Sequence, residues 1–457
     1  MISISFARFP KKILIWLVFA AIACASLFFA WRYHAYYVQP YTPLPDINFT
    51  VYGRADPKQM LTKDKVYADA MQLVGHLENV HPMFLESSQV DYTLAKQEYL
   101  RDTAVSMTTE QFHLLCMRLV ASIHDGHTRM DILTHQRLDA NVEWKGGKAF
   151  FVHSTGEDEV LSIGGVTSEA LRQTVQEYFG VENDSHEKRI LQDEALSMPI
   201  LTAAGVVEQS PSKVKAVVLR DGIEYSLLWS VTTLRNEERS VPSSISARTI
   251  EDYVLVEFVG NHFVPNEDLE SAMAYVKDRL EEGWSKVILD ARQYTGGNSA
   301  VGELVLQSLG MRPASYGVVL RYSAELADQR AHLSDEYAPT VGFYRKEPSM
   351  DTVVRNDDIE LYMLVGMRTF SAAKMLAVQI SDSELGKIVG QPPGNYPSPY
   401  GDIVLFQLVH SRLTGSISSK KFTRPNSYLE GERDLRMDIP VADGDDALDI
   451  VVYERWR

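Results

Sequence analysis

Two short apolar runs, Val287-Ile288-Leu289 and the stretch 361–365 (LYMLV), most constrain what this chain can fold into. A continuous apolar run too short for a helix and bounded by polar residues fits a strand buried on both faces. Strands of that kind belong to sheets with helices packed on each side. The sequence just ahead of the first run supplies a helix. Asn266 reads as an N-cap ahead of apolar positions Leu269, Met273, Val276 and Leu280, and Gly283 marks the far end. With a strand at 253–259 and further β-like runs at 387–389, 403–408 and 416–422, residues 249–457 are expected to form an α/β core.

Upstream the pattern changes twice. Residues 57–137 read as helical: Phe112, Leu115, Cys116, Leu119, Val120 and Ile123 form a stripe at helical spacing, and Thr108 with Gln111 has the form of a capping box. Residues 138–248 hold β-like runs at 149–152, 214–219 and 225–231, separated by Gly-containing turns, around one helix near 168–179. A separate β-rich insert, α+β in character, is expected there, and no functional motif stands out in it.

The N-terminus is of another kind. Residues 13–31, from Ile13 to Trp31, carry no charge. As a helix rising ~1.5 Å per residue they would span roughly 28 Å, close to the hydrocarbon thickness of a bilayer. Arg8, Lys11 and Lys12 precede them, so the positive-inside bias puts the N-terminus in the cytoplasm and the rest outside, as a single-pass protein. Ala23-Cys24-Ala25 offers a signal-peptidase exit, but Leu27, Phe28 and Phe29 prolong the apolar run past it, and Ala21 is small for a lipoprotein site at Cys24. An uncleaved anchor over 1–31 is expected, followed by a proline-rich tether over 32–56 (Pro40, Pro43, Pro45).

Composition then excludes function classes. Residues 1–32 hold four basic residues and no acid in a chain of net charge −16, so the remainder carries −20. Such a chain is a poor partner for a phosphate backbone, and no nucleic acid is expected. The cysteines, Cys24 and Cys116, fall in the anchor and in the helical stripe, which leaves neither a disulfide framework nor a Cys-rich zinc module. No metal or cofactor is expected.

Three places carry residues suited to chemistry. Ser371 follows the 361–365 strand and begins a helix, the setting of a nucleophile elbow, although a serine there is also a common plain N-cap. His127, in His124-Asp125-Gly126-His127-Thr128, lies in a loop after a helix and has the pKa range a serine needs from a base, although a loop histidine can equally be an idle surface residue. Gly296-Gly297-Asn298 follows the strand ending Asp290-x-Arg292. A Gly pair there lets backbone N–H groups approach a ligand, and no GxGxxG or P-loop pattern accompanies it.

In order along the chain, DGHT (125–128), VILDARQYTGGNS (287–299), the block 370–402 beginning FSAAK, and SSKKFTRP (418–425), with HPMF at 81–84, resemble the tail-specific, or C-terminal-processing, serine peptidases. The likeness is to the tricorn-core-like branch found in Gram-positive bacteria. It spans roughly residues 57–457, with 138–248 matching least and the anchor outside it. It implies a ClpP/crotonase-like α/β core and a peptide or protein substrate. It also implies Ser371 as nucleophile, with the Ala372 N–H and the Gly296–Gly297 backbone as oxyanion hole. One branch places a lysine base about 25 residues past the serine, where this chain has Tyr396; the other uses the DGHT histidine, here His127. The family's third member, a glutamate near the C-terminus, falls on Glu430, with Glu432 or Asp438 as substitutes because the context at 434–438 departs from the pattern. Two further departures, Tyr294 for an Asn and Lys374 for an acid, leave open a non-catalytic peptide-binding module. Lys374 also creates Ser371-x-x-Lys374, the signature of penicillin-binding proteins, but no Lys-Thr-Gly accompanies it, and Lys374 is expected to face solvent.

Overall fold

The structure, a computed structural model, describes residues 48–85, 89–207, 211–233, 242–330 and 342–453. The expected anchor at 13–31 and the tether up to residue 47 lie outside the described residues. Among the described residues no helix is long and apolar enough to cross a membrane. The described end of the tether lies against the domain: Asn48 N–H donates to Gln329 O at 3.2 Å and Tyr52 N–H to Gln407 Oε1 at 2.7 Å.

The fold is mixed α/β. Its central sheet has strand order Ser244–Ile250, Tyr253–Gly260, Lys286–Tyr294, Glu360–Val365, Lys387–Gly390, Ile439–Pro440. The first pair is antiparallel and the rest run parallel. Alternate residues of each apolar strand go to opposite faces. Val254, Val256, Val287, Leu289, Leu361 and Met363 pack under helices Glu267–Glu281, Ala300–Ser308 and Ala372–Asp382, while Leu255, Ile288, Tyr362 and Leu364 pack with helix Ala447–Val452. Burial on both faces is why these runs read as continuously apolar. Asn266 accepts the Leu269 N–H at 3.0 Å, as a cap should, and Gly283 takes a left-handed φ of 94° past the helix end.

The core sheet begins at Ser244, inside the stretch expected for the insert. The strands Tyr400–Gln407 and Thr414–Thr423 are not part of it. They pair with each other, and Thr414–Thr423 pairs on its other side with Gly317–Tyr322, in a second, antiparallel sheet. That sheet packs its Val404, Phe406 and Ile417 into the same apolar cluster as Leu73 and Val120 of the N-terminal helices. The short strand Arg129–Met130 joins its edge beside Gly415 and Ser416, which ties the DGHT loop to it. The Thr108–Gln111 capping box forms around helix Thr109–Ala121, with Cys116 fully buried on the apolar face.

The insert forms a seven-stranded antiparallel sheet, including Lys148–His153, Lys213–Arg220 and Ile223–Thr233, with helix Ser168–Tyr178. Two helices that the periodicity does not announce, Asp184–Glu194 and Met198–Ala203, complete it.

Candidate active site

Strand Glu360–Val365 ends at Gly366, and the chain turns through Thr369 before the helix Ala372–Asp382. Thr369 fixes the turn: its Oγ1 donates to Ala291 O at 2.7 Å and accepts the Gly366 N–H at 3.0 Å. Ser371 then adopts φ 55°, ψ −126°. A side-chain-bearing residue in that region costs on the order of 1–3 kcal/mol, so neighbours must hold it. One that does is Asn395, whose Oδ1 accepts the Ser371 N–H at 2.9 Å. The strained turn presents Oγ at the N-terminal end of the helix, and His127 Nε2 lies 2.8 Å from it. Sequence thus brings together two residues 244 positions apart.

The His127 ring stacks on Phe370, centroids 4.9 Å apart, and its side chain is 13% exposed, within reach of a substrate. Its loop is organised by Asp125, which is fully buried. Asp125 Oδ1 accepts the His127 N–H at 3.0 Å, and Oδ2 accepts the hydroxyls of Thr128 and Ser418, each at 2.6 Å. His81, the histidine of HPMF, adds a fourth donor. Met83 N–H donates to His81 Nδ1 at 3.1 Å, so Nε2 carries the ring proton and points it at Asp125 Oδ2, 3.2 Å away. Burial opposes the charge on Asp125, but favourable interactions with the His127 and His81 side chains outweigh it and hold the carboxyl well below the usual range. His127 Nδ1 is 3.6 Å from Asp125 Oδ1, just outside hydrogen-bonding distance. Ser416 Oγ holds the His127 carbonyl at 2.7 Å. Ser416 and Ser418 show what the Ser-rich strand does: it clamps the DGHT loop.

The glycine pair sits where a side chain would close the site. A Cβ on Gly296 would lie 2.7 Å from Ser371 Cβ and 3.2 Å from Ala372 N. Phe263 pins the pair, donating its N–H to Gly296 O at 3.0 Å and accepting the Asn298 N–H at 2.7 Å. In a parallel bridge of this kind the central residue, Gly297, turns its own N–H the other way. Tyr294, at the strand end, is a core side chain between Phe258 and Phe263.

Two expectations are corrected. Glu430 is exposed and its Oε2 accepts the Ser398 hydroxyl at 2.6 Å; the carboxylates gathered at His127 are Asp125 and Glu182. Glu432 instead faces Arg424 and Arg436, and Asp438 accepts the Ile388 N–H. Lys374 does not face solvent. It is fully buried, because its helix is apolar almost all round, with Ala373, Leu376, Ala377, Val378 and Ile380 also buried. Its ammonium donates to Asn395 O at 3.1 Å and reaches Pro393 O at 3.5 Å, while the Ser371 hydroxyl is bonded to His127. Burial pushes its pKa down to about 7, against the charges of Asp434 and Glu182.

Glu182 comes from the insert, in the connection between helices Ser168–Tyr178 and Asp184–Glu194, and nothing in its local sequence marked it. Burial, then the charge of Asp125, raises its pKa to about 7. Asp125, His127 and Glu182 each offer a donor atom within 4.8 Å of the others, the grouping best placed among the described residues to hold a cation. Their carboxylates are already engaged by backbone and hydroxyl donors.

Residues 257–402 match the family model of Peptidase family S41, a stretch that holds both the glycine pair and Ser371. Over that stretch, about a third of the chain, the sequence is similar to the tail-specific serine-type peptidases. Mature CPAF has a similar structure, with TM-score 0.62 and 11% sequence identity over 86% of this chain and 95% of that one. The complex of mature CPAF with lactacystin is similar at TM-score 0.61 and 12% identity, over 86% of this chain and 97% of that one. At such identity the likeness is one of fold. No curated protein matches the sequence.

Proposed function

We propose that this chain is a membrane-anchored, extracytoplasmic serine peptidase, held to the bilayer by residues 13–31, whose nucleophile is Ser371 and whose general base is His127. The core is read as ClpP/crotonase-like. The observation that carries the catalytic reading is the 2.8 Å contact between His127 Nε2 and the hydroxyl of a serine at positive φ on a helix N-terminus. His127 Nε2 takes the Ser371 proton as Oγ attacks the peptide carbonyl carbon. The oxygen that gains charge is met by the Ala372 N–H and the Gly296–Gly297 backbone, aided by the helix N-terminus. His127 then passes its proton to the leaving amine, and water deacylates Ser371 by the same base. Asp125, ionised and buried at 3.6 Å from Nδ1, faces the imidazolium that forms.

The test is hydrolysis of an unstructured fluorogenic peptide library by the full chain, in detergent or bilayer, with Ser371→Ala and His127→Gln variants. Cleavage by the wild type that falls at least ~10³-fold in both variants supports the reading. Cleavage unchanged in Ser371→Ala overturns it.

A further inference from the structure

One buried carboxylate touches both halves of the site. Glu182 is 3% exposed and belongs to the insert. Its Oε1 accepts the Gly126 N–H at 3.0 Å and lies 3.4 Å from Asn395 Nδ2, and its Oε2 accepts the Tyr396 N–H at 2.8 Å. Gly126 immediately precedes His127. Asn395 is the residue whose Oδ1 takes the Ser371 N–H. The base loop and the nucleophile turn are therefore joined through one side chain from a third segment.

The fit of that segment depends on missing side chains. A Cβ on Gly126 would meet His186 Cε1 at 2.5 Å and Glu182 Oε1 at 3.0 Å, and a Cβ on Gly180 would meet Asp125 O at 2.9 Å. The neighbouring Asn183 adds a second link, its Nδ2 lying 3.2 Å from both Pro393 O and Asn395 O. All three groups on Glu182 are N–H donors. In its ionised form the side chain has two accepting oxygens and no hydrogens and satisfies them all, whereas a carboxamide would turn an N–H toward one of them.

We infer that Glu182 is a positioning residue for the peptidase reaction: it sets the His127 loop against the Ser371 turn, so the insert decides whether base and nucleophile meet. This rests on the Ser371–His127 reading above. A misplacement of about 1 Å costs on the order of 10²-fold in rate, the scale such a tether controls.

The experiment uses the full chain and a fluorogenic peptide that the wild type cleaves, with fluorophosphonate labelling rates measured in parallel. Glu182→Gln is expected to lower kcat by ~10–10² with KM within about twofold, to slow labelling by the same factor, and to leave the melting temperature near that of the wild type. Asn395→Gly removes the link to Ser371 while accepting the left-handed backbone there, and it is expected to give a similar kcat loss; the double variant should lose little more than either single one. Wild-type kcat in folded Glu182→Gln, a rise in KM alone, or wild-type kcat in Asn395→Gly overturns the inference. Ser371→Ala separates the two levels. If it still labels, the underlying reading has failed; if it is silent while Glu182→Gln labels at the wild-type rate, only the role of Glu182 has.

Discussion

Replacing Lys374 with methionine separates a buried structural lysine from a catalytic one. Methionine is close in volume and unbranched, so it fills the same slot. Pro393 O and Asn395 O stay in reach of the Asn183 amide, whose two hydrogens they share with Asp434 Oδ1. The lysine's pKa falls from 10.5 to about 7 on burial. At ~1.4 kcal/mol per pH unit, the charged lysine costs the fold about 4–5 kcal/mol below pH 7. The sign follows from proton binding. Between pH 7 and 10.5 the unfolded chain binds more protons at this site than the folded one, so wild-type stability gains from this group as pH rises, and the cost is gone by about 10.5. Lys374→Met lacks that dependence. Its advantage over the wild type is expected to be largest at pH 6–7 and to shrink by about 4 kcal/mol toward pH 10, a change of roughly 5 °C in relative melting temperature for a domain of this size. Paired thermal melts from pH 6 to 10 read it directly, and peptidase activity at pH 7 should stay within about threefold of wild type. A stability difference that does not narrow with pH refutes the burial reasoning. Loss of activity in a well-folded Lys374→Met would instead make the lysine the base, as in an SxxK enzyme.

Gly296→Ala places a Cβ 2.7 Å from Ser371 Cβ and beside Ala372 N; a fall in kcat of ~10²–10³ is expected, with a smaller change in KM, measured by steady-state kinetics. Asp125→Asn turns one accepting oxygen into a donor among Thr128, Ser418 and His81, and should cost ~10²–10⁴ in kcat. Asp382→Ala leaves the guanidinium of Arg424 buried without its 2.6 Å partner, so unfolding should come ~3–5 kcal/mol sooner in a denaturant melt, whether or not the protein is active. Glu430→Gln, by contrast, changes an exposed carboxylate bonded to Ser398 and should leave kcat within about twofold of wild type in the same assay.

The parts of the site that rest on local geometry were legible. A serine directly after an apolar strand, a glycine pair at a strand end and a histidine in a post-helical loop each have a physical signature within a few residues. The α/β core was legible for the same reason, since Val287–Leu289 and 361–365 could be buried only between two helical layers. What escaped depends on tertiary contact. Glu182 is one acid in a helix–helix connection, and its role appears only when Gly180 and Gly126 let two distant loops touch. The sequence reading puts Lys374 toward solvent because a lysine on a helix usually is, yet Ala372-Ala373 and Leu376 to Ile380 leave that helix almost no polar face. The strands at 400–407 and 414–423 have ordinary strand patterns, and nothing local tells which sheet they join. Burial of Val404 and Phe406 beside the N-terminal helices decides it.

The most direct measurement is intact-mass spectrometry of the full chain after treatment with a fluorophosphonate, followed by peptide mapping. One adduct per chain on the peptide that carries Ser371, absent in Ser371→Ala and strongly slowed in His127→Gln, is the expected result. An adduct on another residue, or one that persists in Ser371→Ala, would contradict the assignment of Ser371 as the nucleophile.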